Sequence, residues 1–364
     1  MLKAAVISLG SKSSKWVVKA LKKYIRTVDD LNIKDIEVIL SSKGMEVLYK
    51  GKPLEKYDCV YAKGSFRYAP LLRAITAILS KDTYLPISDS AFTLAHDKIL
   101  TQLVLQQKGI PMPLTYLSAT PEAAKKVLEN AHYPIIMKFP SGTQGKGVMF
   151  ADSFASANSM LDALTALKQP FLIQEYIETG GADIRVIVAG GQVIASMKRK
   201  AESGEKRANI HAGGKGEAYS LDVHSKKIAV DAAKAIGAEI CAVDILESVK
   251  GPLVIELNVS PGLQGITEAT KTDIAAKIAR FLHKKAREFK ESKKKIETKD
   301  ILRELSSTGT YKEILTSLDF RGERILLPKI VTDETKFTDK DELIVKVKNG
   351  KLILEKFDVG KKEK

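Results

Sequence analysis

The sequence predicts an α/β protein, of α+β character through its middle, with a small β-hairpin module near its carboxyl end. Three observations support this class. Over residues 1–95 short apolar runs alternate with amphipathic helical patterns, which is typical of a parallel α/β unit. Farther along, strand patterns outnumber helical ones, which favours antiparallel sheets with helical covers. Near the end, Asn349-Gly350 separates two apolar runs, a strong hairpin signal.

Length and composition limit the class of protein. A chain of 364 residues exceeds one ordinary domain, so we expect two or three units. Hydrophobic residues make up 44% and charged residues 28%, and no apolar run is long enough to cross a bilayer. We therefore expect a cytoplasmic protein without a membrane partner. The net charge of +15 fits an anionic substrate, nucleic acid or a basic proteome, and does not choose among them.

The N-terminal segment, residues 1–95, reads as strands and helices in turn. Its first apolar run, 4–9, is short and lacks a clear cleavage site, so a strand is favoured over a signal peptide. Cys59 and Cys241 lie in apolar strand-like contexts, where buried free thiols are expected. The predicted elements of this segment are strands at 4–9, 36–40 and 57–62 and helices at 14–24 and 68–79.

The rest of the chain divides by pattern. A helix over 97–107 stops at Gly109 and Pro111. Residues 284–300 are rich in lysine and read as a solvated helix or linker. The predicted segments are 1–95, an α/β domain; 96–170 and 171–288, two subdomains; 289–322, a charged linker; and 323–357, a β module.

Carboxylates within apolar strands are the most informative feature. In the run 253–259 the side-chain period of two places Glu256 and Asn258 on one face, opposite Ile255 and Leu257. Upstream, Asp244 is a single acid in an apolar strand, where a charge is costly unless a partner or metal compensates it. Two carboxylates and an amide are hard oxygen donors, so the sequence predicts Mg²⁺ holding a nucleotide phosphate.

Further segments suit phosphate binding, each with a simpler alternative. Residues 141–147 form a glycine-rich loop after a strand that ends near Lys138, and a lysine among apolar residues needs an anionic partner. A flexible hairpin is the alternative. Asp183 and Arg185 share a strand face, which equally fits a surface salt-bridge ladder. His211 has no metal-like partner nearby, so a structural hydrogen bond is favoured over catalysis.

Taken in order, the motifs resemble the ATP-grasp superfamily, and within it the RimK-type amino-acid ligases. The resemblance covers residues 97 to 282 and depends on the order of several short motifs, each weak alone. They are His96-Asp97-Lys98, Lys138 with SGTQGKGV, QEYI at 174–177, Asp183-Ile184-Arg185, Arg207-Ala208-Asn209, AVDIL around Asp244, and ELNVSPGLQGI from Glu256.

The resemblance implies roles for individual residues. Phosphates of ATP would meet Lys98, Lys138 and the loop glycines Gly142, Gly145 and Gly147. Adenine and the nucleotide side would be contacted by Glu175, Tyr176, Ile177, Asp183, Arg207, Ala208 and Asn209. Two Mg²⁺ ions, replaceable by Mn²⁺, would be held by Asp244, Glu256 and Asn258. Catalytic contacts to an acyl-phosphate or amino acid would come from Arg185, Arg199 and Arg207.

The implied reaction is ATP-dependent amide formation through an acyl-phosphate. The Ser260-Pro261-Gly262 ending resembles the branch that adds glutamate to a protein C-terminus or to a glutamyl-bearing coenzyme. A ligase for another amino acid remains an alternative. A second alternative, from another class, is a DNA-binding regulator that uses the ATP-grasp core to sense a ligand.

The segment 324–355 is similar to AbrB-type swapped-hairpin modules, which form intertwined dimers and often bind DNA. A unit this short cannot bury a sufficient core alone. We therefore expect a homo-oligomer formed through this module, or docking on the enzyme, in preference to nucleic-acid binding.

Overall fold

The computed structural model describes residues 1–42, 44–140, 147–201, 215–306 and 319–357, with the backbone alone at residues 215 and 295–306. The chain forms two compact units, Met1–Glu297 and Thr298–Lys364. A search of the described helices finds none long and apolar enough to span a membrane. The five segment boundaries stay a prediction.

The first unit begins with a parallel sheet in the order β2-β1-β6. Residues Ala4 to Ile7 of its central strand are buried, and helix α1 starts from an N-cap at Ser11, whose side chain accepts from the Ser14 amide. The parallel α/β prediction is confirmed. The elements are β1 (Lys3–Ser8), α1 (Lys12–Leu21), β2 (Thr27–Asn32), β3 (Ile36–Ser41), β4 (Gly44–Tyr49), β5 (Lys52–Pro53), β6 (Cys59–Ala62), α2 (Ala69–Leu79) and α3 (Asp89–His96).

One strand of this segment lies in a different sheet from the expected one. The run 36–40 was expected to be a strand of the parallel unit, but β3 pairs antiparallel with β4 in a separate sheet, β3-β4-β5. The parallel neighbours of β1 are β6 and β2, and the sequence pattern did not indicate β2. Only Val28 and Leu31 of β2 are buried, so its apolar alternation is too weak to predict a strand.

The next segment builds a four-stranded antiparallel sheet in the order β7-β10-β8-β9. Helices α5 and α6 pack on it, and the resulting apolar cluster around Leu128, Met137 and Leu161 is separate from the main core. The elements are α4 (Lys98–Gln107), β7 (Thr115–Tyr116), α5 (Pro121–Glu129), β8 (Ile135–Lys138), β9 (Val148–Ala151), α6 (Phe154–Ala166) and β10 (Leu172–Glu175).

A five-stranded antiparallel sheet, β13-β12-β11-β14-β15, completes the first unit. Its buried residues join those of the N-terminal sheet in one continuous core. The prediction of antiparallel sheets with helical covers is therefore confirmed. The elements are β11 (Ala182–Ala189), β12 (Gln192–Lys200), β13 (Lys215–Ala218), α7 (Val223–Ala235), β14 (Ile240–Ser248), β15 (Gly251–Asn258), α8 (Gln264–Thr270) and α9 (Ile274–Ser306).

The second unit contains the predicted hairpin. Strands β18 and β19 pair antiparallel around Asn349-Gly350, and Gly350 has a positive φ of 72° that suits glycine in a tight turn. None of the residues from 319 to 357 is buried. Its elements are β16 (Asp319–Arg321), β17 (Arg324–Leu326), α10 (Lys329–Thr335), β18 (Leu343–Lys348) and β19 (Lys351–Lys356).

Candidate active site

A cavity of about 630 Å³ lies within the first unit. It is lined by the loop after β6, the start of α4, one face of the four-stranded sheet and one face of the five-stranded sheet, and by the loop that leads into α8. Among the predicted residues that the structure describes, the cavity brings together Lys98, Lys138, Glu175, Tyr176, Ile177, Asp183, Arg185, Arg199, Asp244, Glu256 and Asn258.

The predicted metal-binding side chains meet on two neighbouring strands. Asp244 of β14 lies directly opposite Glu256 of β15, and both line the cavity with Asn258. The Asn258 Oδ1 atom accepts the Ser260 amide at 2.8 Å. Across the described ranges, no group of three His, Cys, Asp or Glu side chains suits a metal, so a site here needs the Asn258 amide oxygen.

A bulge changes the face that β15 presents. The register passes from Asp244 opposite Glu256 to Ile245 opposite Val254, which leaves Ile255 as an extra residue. Strict alternation predicted Ile255 on the face away from the carboxylates, but it lines the cavity beside Glu256. That part of the sequence prediction is wrong. Leu257 is buried in the core, as alternation requires.

Glu256 is a half-buried acid for which no hydrogen bond or ion pair is found within the described ranges. Burial raises the pKa of its carboxyl, and the charge of Asp244 acts in the same direction. A desolvated carboxylate beside a second acid and a free amide lone pair suits a hard divalent cation. The three residues therefore fit Mg²⁺.

Two arginines neutralise the acids on the five-stranded sheet. Arg185 donates to both oxygens of Asp244, at 2.9 and 2.7 Å. Arg199 donates to both oxygens of Asp183, at 2.6 and 2.5 Å, and to Asp244 at 3.0 Å. Burial raises the pKa of Asp244, but the two guanidinium groups outweigh burial and hold it at about 2. Asp244 is therefore ionised at neutral pH.

Lysines lie near the same carboxylates. The Lys138 ammonium donates to the Gln174 side-chain oxygen at 2.6 Å, and burial, with the charge of Lys98, lowers its pKa to about 8 despite the opposing effect of Glu256. Lys98 opens α4, whose N-cap is Asp97, and its amide donates to the Pro140 carbonyl at 3.0 Å. Two lysines on the wall of a cavity favour an anionic ligand.

Part of the cavity wall comes from residues 175–177, at and just after the end of β10. Strand β10 ends at Glu175, whose side chain accepts the Leu114 amide at 2.7 Å, and Tyr176 contacts Phe150 edge-on with ring centres 5.3 Å apart. Ile177 also lines this part of the wall. An aromatic ring and an aliphatic side chain in a cavity wall suit a planar base.

The glycine-rich loop is described at its last residue. Gly147 has a φ of +78°, and its carbonyl accepts the Phe139 amide at 3.0 Å. A Cβ atom at Gly147 would lie 2.2 Å from the Phe139 ring, so this position requires glycine. Of the other predicted contacts, Gly142, Gly145, Arg207, Ala208 and Asn209 lie outside the described residues, as does His211.

Sequence reasoning missed what the N-terminal segment contributes to the cavity. The Gly64 amide donates to Ser260 Oγ at 2.8 Å, and the Lys63 ammonium donates to the Pro261 carbonyl at 3.2 Å. From the start of α1, Ser13 Oγ donates to the Gln264 side-chain oxygen at 2.8 Å. These contacts join positions 196 to 251 residues apart, so no local pattern could have indicated them.

His96 was quoted only as part of a motif, yet it lines the cavity. Its Nε2 atom is buried without a hydrogen-bond partner within the described ranges, and burial, then the charge of Lys98, lowers its pKa. A small second cavity of about 30 Å³ lies between His96, Thr101 and the strand from Ile255 to Asn258. A space of this size can hold a water molecule.

The arrangement of two antiparallel sheets around a polar cleft is the ATP-grasp architecture. Two solved structures share it: an ATP-grasp ligase PsnB with minimal precursor, Mg and ADP (TM-score 0.62, 19% identity, covering 78% of this chain and 98% of that one), and a RimK domain protein from Sphaerobacter thermophilus (TM-score 0.59, 19% identity, 77% and 99%).

Sequence comparison gives the family. The model for the RimK-like ATP-grasp domain matches residues 95–282. A probable alpha-L-glutamate ligase from Marinomonas is 37% identical over 293 residues, which is 78% of this chain and 96% of the relative, and one from Shewanella loihica is 39% identical over 251 residues, 68% and 83%. The chain therefore belongs to the RimK-like ATP-grasp family, and it is an ATP-dependent ligase. The family match ends before the C-terminal unit begins at Thr298.

Proposed function

We propose that this ligase adds L-glutamate, through an amide bond, to the carboxylate of a protein C-terminus or of a glutamyl-bearing coenzyme. The observation that carries the proposal is the pairing of Asp244 with Glu256 on the wall of a cavity that also holds two lysines. Glutamate is supported by the relatives described as probable alpha-L-glutamate ligases, at 35–39% identity.

Bound Mg²⁺ would neutralise the phosphates of ATP and act as a Lewis acid on the transferred group. Asp244, Glu256 and Asn258 would hold two such ions, and Mn²⁺ would substitute for Mg²⁺. Lys98 and Lys138 would pair with phosphate oxygens, and Gly142, Gly145 and Gly147 would let backbone amides approach them. Glu175, Tyr176 and Ile177 would contact adenine, and Arg207, Ala208 and Asn209 would contact the nucleotide.

The acceptor carboxylate attacks the γ-phosphate of ATP, which gives an acyl-phosphate and ADP. The amine of the amino acid then attacks the acyl carbon and phosphate leaves. Arg185 lies where it can neutralise the reacting oxygens, because its side chain keeps some exposure to the cavity while it holds Asp244. In such reactions the protein contributes mainly positioning and charge neutralisation.

Product analysis tests the proposal. The protein is incubated with Mg²⁺-ATP, one amino acid at a time and an extract containing candidate acceptors, and phosphate release and product masses are measured. We expect ADP, phosphate and a mass increase of one glutamyl residue with glutamate. Turnover with a different amino acid would overturn the glutamate assignment, and no ADP formation with any amino acid would overturn the ligase mechanism.

We further propose that the C-terminal unit joins two copies of the chain in the cytoplasm. Support comes from its exposed apolar side chains: Val347 and Leu352 are cross-strand partners, yet they are 78% and 52% exposed. An isolated two-stranded hairpin is marginal, so these side chains need another surface.

The mass of the full-length chain in solution tests this second proposal. We expect a dimer, and a monomer for the double variant V347D/L352D with unchanged ligation. A wild-type monomer would overturn it. Duplex DNA that binds with steep salt dependence would instead favour the nucleic-acid alternative.

A further inference from the structure

An ion-pair network of two arginines and two aspartates spans three strands of the five-stranded sheet. Asp183 on β11 lies opposite Arg199 on β12, and Arg185 on β11 lies opposite Asp244 on β14. Arg199 joins the two pairs, because it contacts Asp183 and Asp244 at once. Each charge therefore has an opposite charge beside it without any ligand.

Arg199 is poorly placed to bind a substrate. It is only 4% exposed, and three of its N–H bonds are directed at aspartate oxygens. A guanidinium group has five such donors, so most of its hydrogen-bonding capacity is used inside the ion-pair network. The Arg185 side chain, in contrast, is 17% exposed. The two arginines thus differ in what they can reach.

The two oxygens of Asp244 are not equivalent. Oδ2 accepts from Arg185 Nη2 at 2.7 Å and from Arg199 Nη2 at 3.0 Å, whereas Oδ1 accepts from Arg185 Nε alone at 2.9 Å. A carboxylate offers about two acceptor positions on each oxygen. Both acceptor positions of Oδ2 are therefore used within the ion-pair network, and Oδ1 keeps one position for a further ligand.

We infer that Arg199, held by Asp183, is a positioning residue that fixes Asp244 so that Oδ1 is its metal-binding oxygen. Asp183 then serves to anchor Arg199 and not to contact the nucleotide. The inference rests on the proposed function, in which Asp244 is a metal ligand. It predicts that metal affinity depends on the geometry of the Arg199 fork and not only on its charge.

The variant R199K isolates that geometry, because lysine keeps the positive charge but cannot donate to both aspartates in a fixed fork. Mn²⁺ affinity is measured by electron paramagnetic resonance with ADP present and no turnover. We expect R199K to weaken Mn²⁺ binding about tenfold or more, as loss of a partner that orients a metal ligand does. The KM for amino acid and acceptor should stay unchanged at saturating metal.

The anchoring role of Asp183 is tested by a double-mutant cycle. D183N should also weaken Mn²⁺ binding. The D183N/R199K protein should bind Mn²⁺ only slightly less tightly than the single variant with the lower affinity, because both changes disrupt the same Asp183–Arg199 pair. Matched controls are R73K and D89N, since Arg73 and Asp89 form a half-exposed pair at 3.8 Å that is far along the chain from the ion-pair network. Both controls should bind Mn²⁺ like the wild type.

Unchanged Mn²⁺ affinity in R199K, together with a raised KM for either substrate, would overturn the inference and return Arg199 to the substrate. If thermal melting shows that R199K does not fold, the test uses D183N alone. Wild-type Mn²⁺ affinity in D183N would then overturn the inference. A separate failure marks the proposed function itself: wild-type protein that binds no Mn²⁺ with ADP, or E256Q protein that binds it as tightly as wild type.

Discussion

Replacing Glu256 by glutamine is the most direct perturbation of the proposed metal site. The change keeps the shape of the side chain and removes one charge. Among the described cavity residues it leaves four acids where there were five, against four cations. The acids are Glu175, Asp183, Asp244, Glu256 and Glu268, and the cations are Lys98, Lys138, Arg185 and Arg199. The cavity becomes less able to hold a divalent cation.

The expected magnitude follows from the position of Glu256 opposite Asp244. Loss of a residue that only orients a metal ligand costs about 10–100-fold in affinity or activity. Loss of a ligand must cost more, so we expect ligation to fall by more than about 100-fold. The fold should tolerate the change, because burial already raises the pKa of Glu256 and so disfavours its charged form.

The assay measures ADP formation against Mg²⁺ concentration, with thermal melting of the ligand-free protein alongside. The matched control is E247Q, because Glu247 lies on the neighbouring strand β14 but pairs with Lys198 at 3.0 Å outside the cavity. Ligation by E247Q should match the wild type. An E256Q protein with more than about a tenth of wild-type activity and an unchanged metal requirement would refute the reasoning.

Three further predictions follow from single positions. Burial lowers the pKa of Lys63 to about 8 in the folded state, below its usual 10.5, so the folded state binds fewer protons and the contribution of Lys63 to stability should rise between those pH values. Other buried groups also titrate in this range, so the test is the free energy of unfolding in urea of the wild type minus that of K63M. That difference should increase with pH, and a constant or falling difference would contradict the prediction. Lys138 also has a pKa of about 8, and a phosphate partner should raise it, so ATP binding near this pH should take up protons in calorimetry with buffers of different ionisation enthalpy. K138M should lose that uptake, and equal uptake would contradict the assignment. G147A should lower the melting temperature more than G191A, because both glycines have positive φ but only Gly147 has the Phe139 ring in the way. Equal decreases in melting temperature would show that the Phe139 ring moves aside without cost.

The sequence could single out Asp244, Glu256 and Asn258 because the patterns that mark them are local. Glu256 and Asn258 are two residues apart on one strand, and a period of two places both on one face. Asp244 stood out as a charge in an apolar strand. Each of these patterns depends on a few neighbouring residues, and the structure brings all three to the same cavity.

Other features depend on contacts that no local pattern carries. The bulge that turns Ile255 towards the cavity is set by the pairing of β14 with β15, and alternation alone predicts the opposite face. The pairing of Asp183 with Arg199 depends on the register of β11 against β12, which is set around the Gly190-Gly191 turn. Their spacing in the sequence placed Asp183 and Arg185 on one strand face but identified no partner on a neighbouring strand for either residue.

The N-terminal segment supports Asn258, the third of the proposed metal ligands. Asn258 is held by the Ser260 amide, and Ser260 is in turn held by the Gly64 amide. Because Asn258 Oδ1 accepts one hydrogen bond, it keeps a second lone pair for a metal, as Asp244 Oδ1 does. The two side chains are thus fixed from opposite sides, one by arginines of the central sheet and one by the first α/β segment. Glu256, between them, has no such support among the described residues, so the metal itself is what would order it.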